Sequence, residues 1–281
     1  MNFASVGASG LSLAAATSWG GGDFCGGLAA KRASVFRVVA VAHGCGLIAM
    51  LTMACLTGEA IPPRADLEWG AFAGLVGAFG IAALYKALAI GRMGVVAPVA
   101  AVITGVLPVL VGFRTEGMPD LAQLFGFALA LVSIWLVARP NEDVDSHRGL
   151  GLAILAGVMF GLFLVAGKQA GHHGVFWPLV AARFISTLLM LALVAISPRD
   201  PQPLRTVFWP MILSGLLDSA GNALFIAATR HGRLDVAAVL SSLYPASTVI
   251  LARVFLKERI SSWQGVGIVG ALASVALISW R

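Results

Sequence analysis

Apolar runs long enough to cross a lipid bilayer recur ten times along the chain, at about 10–30, 35–56, 68–90, 93–113, 119–138, 149–168, 175–196, 206–229, 234–255 and 263–280. A spanning helix needs about 20 such residues. The separators are short and carry breakers or charge, as at Lys31-Arg32, Pro62-Pro63-Arg64, Gly91-Arg92 and Pro198-Arg199-Asp200-Pro201. The runs are continuously apolar, whereas strands of a membrane barrel would be about 10 residues long and would alternate in character. Backbone polar groups in lipid must be satisfied within the segment, so these runs predict helices.

Composition agrees. Only 11% of the 281 residues are charged and 59% are hydrophobic, against about 25% charged in a soluble domain. The net charge of +6 lies in breaks between runs, with no basic face and no interleaved aromatics, which excludes a nucleic-acid partner. The lipid bilayer is the expected environment. Cys25, Cys45 and Cys55 lie inside apolar runs without CxxC spacing, so neither a disulfide framework nor a metal site is expected. His172-His173 has no carboxylate at ligand spacing, and no cofactor motif is present.

The most hydrophilic stretch, 139–148 (RPNEDVDSHR), falls near the midpoint and prompts a search for duplication. Displaced by 141 residues, Gly80 meets Gly221, Ala87 meets Ala228, Gly91 meets Gly232 and Arg92 meets Arg233. Gln123 then meets Gln264, Gly126 meets Gly267 and Ser133 meets Ser274, and Glu116 meets Glu258 after a one-residue slip. Two repeats are therefore expected, 1–139 and 149–281, joined by a linker at 140–148. Five spans per repeat is odd, so the repeats enter the bilayer in opposite directions. Inverted repeats are a recurrent plan of secondary transporters, with the substrate site near the midplane between the halves.

The chain resembles the EamA branch of the drug/metabolite transporter superfamily. The residues that carry the likeness are Trp19-Gly20-Gly21-Gly22-Asp23-Phe24, Arg183-Phe184, and the ending with Pro245, Leu256-Lys257-Glu258-Arg259-Ile260, Gln264 and Gly267. The first half departs from it, having Pro98 and Pro108 where a counterpart of Pro245 would be. The resemblance implies an all-α basket of ten helices around a central cavity, carrying a small molecule by alternating access. It also implies both termini in the cytoplasm. Lys and Arg are more frequent in the odd-numbered loops, which alone would put the termini outside. The orientation given by the resemblance is the expectation adopted, in the plasma membrane.

Ionisable residues at membrane depth cost about 2.5–3.5 kcal/mol on insertion scales and mark candidate sites. Asp23 suits a substrate ammonium group or a coupling proton; the plain alternative is a helix-packing hydrogen bond. Asp218 and Asn222 share one face of span eight beside Ser214 and Ser219, either lining a cavity or bonding between helices. Trp19 and Tyr244 lie inside their spans, away from the interfacial belt, and complete the substrate-binding set. Asp23, Asp218 and His43 are the coupling candidates. Lys86, Lys168 and Arg183 are lesser candidates for cavity charge. Lys86 and Lys168 suit the bilayer edge and Arg183 an anchoring role. Pro98, Pro108 and Pro245 are expected to kink their spans, and the glycines of span one, Gly20 to Gly22 and Gly26-Gly27, imply close helix packing.

The function that follows is a secondary transporter of a small polar metabolite, amino-acid-like as first choice. A nucleotide-sugar or sugar-phosphate carrier is the rival, and it would need several buried cations. An intramembrane enzyme lacks GxSxG, HExxH or a local pair of aspartates in the sequence. A second copy of the chain is a candidate partner.

Overall fold

The computed structural model describes residues 3–91, 93–137, 149–197, 204–256 and 261–279. The expected linker at 140–148, Arg92 and Glu258 lie outside the described residues. Among the described residues eleven α-helices form ten spans: α1 (Phe3–Ala30), α2 (Val35–Thr57), α3 (Arg64–Ile90), α4 (Met93–Thr115), α5 (Leu121–Val137), α6 (Leu150–Ala170), α7 (Phe176–Ile196), α8 (Phe208–His231), α9 (Leu234–Ser241), α10 (Tyr244–Leu256) and α11 (Ser262–Ser279). α2, α3, α6, α7 and α8 are individually long and apolar enough to cross a membrane. The chain is a multi-pass membrane protein.

The ninth span is two helices. Pro245 has no N–H to donate, so the backbone tightens ahead of it. Ser242 N–H donates to the Ala238 carbonyl at 2.9 Å, and Leu243 N–H reaches the Leu240 carbonyl at 3.3 Å. The expected interruption occurs here. α4, by contrast, continues as one helix past Pro98 and Pro108.

The halves pack as a pseudo-twofold pair. α1 packs on α8 as α6 packs on α3, α2 packs on α8 as α7 packs on α3, and α2 meets α7 and α5 meets α11 across the axis. Side-chain contacts keep the 141-residue register. Trp19 lies against Gly221, where an added Cβ would stand 2.5 Å from the indole, and Phe160 lies against Gly80, where it would stand 2.8 Å from the ring. The span-one glycines serve close approach. Gly20 sits against the Tyr244 carbonyl, Gly22 against the α8 backbone at Ser214 and Asp218, and Gly26 against the Tyr85 ring.

The loop between α2 and α3 is bonded to the start of α7. Glu59 accepts the amide N–H groups of Val175, Phe176 and Trp177 at 2.8–3.0 Å, and Trp177 Nε1 donates to the Glu59 carbonyl at 2.8 Å. Those amides are among the donors a helix start leaves without partners, and a negative charge there also meets the positive end of the helix dipole. Glu59→Ala is expected to cost about 1–2 kcal/mol. In a thermal melt of purified protein that is a fall of roughly 2–6 °C, and an unchanged midpoint would refute the capping role.

Candidate functional site

A central cavity opens among the helices, with about 630 Å³ of space not filled by protein atoms, its mouth included. All five sequence-derived binding residues line it: Trp19 and Asp23 from α1, Asp218 and Asn222 from α8, and Tyr244 from the start of α10. His43 of α2 and Arg183 of α7 line it as well. Lys86 does not; it is exposed on the outer surface of α3. Lys168 is ion-paired to Glu116 at the end of α4 and is likewise absent from the cavity wall.

The helices explain this assembly. Asp218 and Asn222 are one turn apart, so both project from the same face of α8 toward α1. Trp19 Nε1 donates to Asn222 Oδ1 at 2.8 Å, bridging α1 and α8. Arg183 donates through Nη2 to Asp218 Oδ2, and His43 Nε2 lies 3.8 Å from the same oxygen. Asp218 therefore sits between two basic side chains from α7 and α2. Tyr85 bonds to the Ser214 hydroxyl at 2.7 Å just behind this wall, and the Tyr244 hydroxyl donates to the Ala97 carbonyl at 3.3 Å.

Asp23 differs from Asp218. It is 8% exposed and makes no hydrogen bond or ion pair among the described residues. It lines the same cavity as Asp218. A buried carboxylate with no protein partner, facing a cavity, suits an external cation or a proton. The polar wall thus holds two carboxylates, one guanidinium and one imidazole.

Packing also pairs Arg183 with His43. Gly74 of α3 abuts the backbone of Ala182, and Gly215 of α8 abuts the backbone of Ala42. The residues that follow, Arg183 and His43, therefore occupy equivalent places about the pseudo-twofold axis, and both point at Asp218. Arg183, expected as an anchor, is at once an anchor and a wall of the cavity. The opposite wall comes from residues that sequence reasoning did not single out: Gly77 and Ile81 of α3, and Phe160, Phe163 and Leu164 of α6. The repeat register held a signal for Phe160, since it stands 141 positions beyond Trp19. The His173 amide N–H donates to Asp66 Oδ2 at 3.1 Å, and its Nδ1 lies 3.0 Å from the same oxygen.

Apolar spans in two inverted repeats, closing around a cavity that carries Asp23, Asp218, Arg183 and His43 on its wall, define the class as a membrane transporter of the inverted-repeat type. The EamA-like transporter family model matches the chain twice, over residues 7–139 and 147–280. The chain belongs to that family. A solved crystal structure superposes on it with a TM-score of 0.77 at 17% identity, covering 96% of this chain and 95% of its own, which shows a shared fold. A comparison with curated protein sequences finds no significant match.

Proposed function

We propose that the chain is a secondary active transporter of a small polar metabolite, amino-acid-like in its charged group, working by alternating access in the plasma membrane with both termini cytoplasmic. The observation that carries the reading is Asp23: a buried carboxylate, without a hydrogen-bond or ion-pair partner among the described residues, facing the cavity beside the Arg183–Asp218 pair. It would take the ammonium group of a substrate or a coupling proton. Of the two basic side chains beside Asp218, His43 is the one that would meet a carboxylate, since Arg183 is matched by Asp218. Trp19, Asn222 and Tyr244 supply the remaining polar contacts. Coupling by proton or by exchange uses the same residues.

The anionic rival, a nucleotide sugar or sugar phosphate, would need uncompensated cations around its phosphates. Lys86 is on the outer surface, Lys168 is paired with Glu116 and Arg183 is paired with Asp218. That arrangement favours an amine or zwitterion.

Counterflow of a labelled amino-acid mixture into liposomes tests this without knowledge of the driving ion. Wild-type protein is expected to accumulate label and Asp23→Asn to lose it. Wild-type protein that is folded yet carries no amino acid would remove the substrate class; an Asp23→Asn variant that transports normally would remove the role of Asp23.

A further inference from the structure

The two halves of the cavity wall are built from equivalent positions that have diverged in one direction. Four pairs of residues related by the 141-residue register both line the cavity: Trp19 with Phe160, Asp23 with Leu164, Asp218 with Gly77, and Asn222 with Ile81. The register is structural as well as sequential. Gly22 packs on the backbone of Ser214 and Asp218, and its counterpart Phe163 packs on Gly77, the counterpart of Asp218; an added Cβ on Gly77 would stand 3.1 Å from the Phe163 ring. In every pair the α1/α8 member is polar or carries an N–H, and the α6/α3 member has no polar side-chain atom. No such segregation is required by packing alone, since the same backbone pairing accommodates both sets.

From this we infer that the cavity is a two-ended receptor for an amphipathic small molecule. The charged group is held on the α1/α8 side, and an apolar substituent lodges against Gly77, Ile81, Phe160 and Leu164 on the α3/α6 side. Within the amino-acid-like class, on which this inference rests, the substrates are those with apolar side chains, and polar ones such as serine are discriminated against. Phe160 and Ile81 are specificity-determining residues. Phe160 supplies the aromatic surface at the place where Trp19 supplies an indole already bonded to Asn222. The place that the Asp218 side chain takes up on the other side is filled at Gly77 by the apolar ring of Phe163. The physical basis is desolvation: an apolar substituent gains by leaving water for this wall, whereas a hydroxyl there loses its hydrogen bonds without replacement.

The test compares serine with leucine as counterflow substrates of the reconstituted protein, with Phe160→Ala and Ile81→Asn beside wild type. In parallel, the melting temperature of the purified protein is followed with n-butylamine and n-hexylamine, since a ligand that binds the folded state raises it. The expected result is a KM for leucine about tenfold or more below that for serine, with that ratio shrinking in both variants. A ratio is not moved by a mere loss of folded protein. If amino acids are carried with no dependence on side chain, or the ratio is unchanged in both variants, the two-ended cavity is overturned while the amino-acid reading stands. If no amino acid is carried but hexylamine stabilises more than butylamine, the amino-acid reading falls and the two-ended cavity stands. If neither series has any effect, both fall.

Discussion

Asp218→Asn is expected to be among the most damaging single substitutions in the molecule, lowering stability by about 3–5 kcal/mol and abolishing transport. The reason is Arg183, whose side chain is only 6% exposed and whose charge is matched by Asp218. An asparagine cannot neutralise it, and a buried unpaired guanidinium is costly. Removing the other partner is expected to cost less. With Arg183→Met, the Asp218 side chain, 19% exposed at the cavity wall, can still be hydrated. The double variant Asp218→Leu/Arg183→Met is expected to regain most of the lost stability while remaining inactive, because apolar replacement of a buried pair is often neutral or better. Thermal melts of the three variants decide the matter. A D218N protein as stable as wild type would mean that Arg183 is satisfied elsewhere.

Gly74→Ala and Gly215→Ala should disrupt the protein equally, although alanine is the better helix former by about 1 kcal/mol. A methyl group at Gly74 would overlap the Ala182 carbonyl, and one at Gly215 would overlap the Ala42 carbonyl. The obstacle in each case is backbone, which cannot swing aside, so the helices must separate. Overpacking of this kind costs about 1–3 kcal/mol or more. Separation would also carry Arg183 and His43 away from Asp218, because they directly follow the two carbonyls in sequence. Loss of transport is therefore expected beyond the loss of stability. Gly10→Ala and Gly151→Ala are the controls: nothing lies within 4 Å of a Cβ at either position, and both are expected to be neutral or stabilising. Melts and counterflow on all four variants test the idea, which fails if the two pairs behave alike.

Much of the architecture was legible because a bilayer leaves few options. Spans of about 20 apolar residues must be helices, and a five-span duplication must be inverted. The family of the chain was carried by Trp19-Gly20-Gly21-Gly22-Asp23 and Arg183-Phe184. The residues around the cavity were partly legible for a related reason. A carboxylate or amide inside an apolar run is too costly to face lipid, so Asp23, Asp218 and Asn222 had to point inward. Lys86 and Lys168 did not follow the same logic, since a long side chain near a helix end can reach the bilayer edge or a partner. One lies on the surface and the other is bound to Glu116.

Sequence by itself thus determined the number of the spans, their pairing into inverted repeats and which polar side chains turn inward, because solvation by lipid acts residue by residue along the chain. Only the tertiary structure decided that α4 runs unbroken past two prolines while the ninth span parts before one. It alone decided that Arg183 and His43 converge on Asp218, that Asp23 has no partner among the described residues, and that the α3/α6 side of the cavity is apolar. Those outcomes depend on which backbone surfaces meet, at Gly74 with Ala182, Gly215 with Ala42 and Gly77 with Phe163. Contacts between residues so far apart along the chain leave no pattern in any local window.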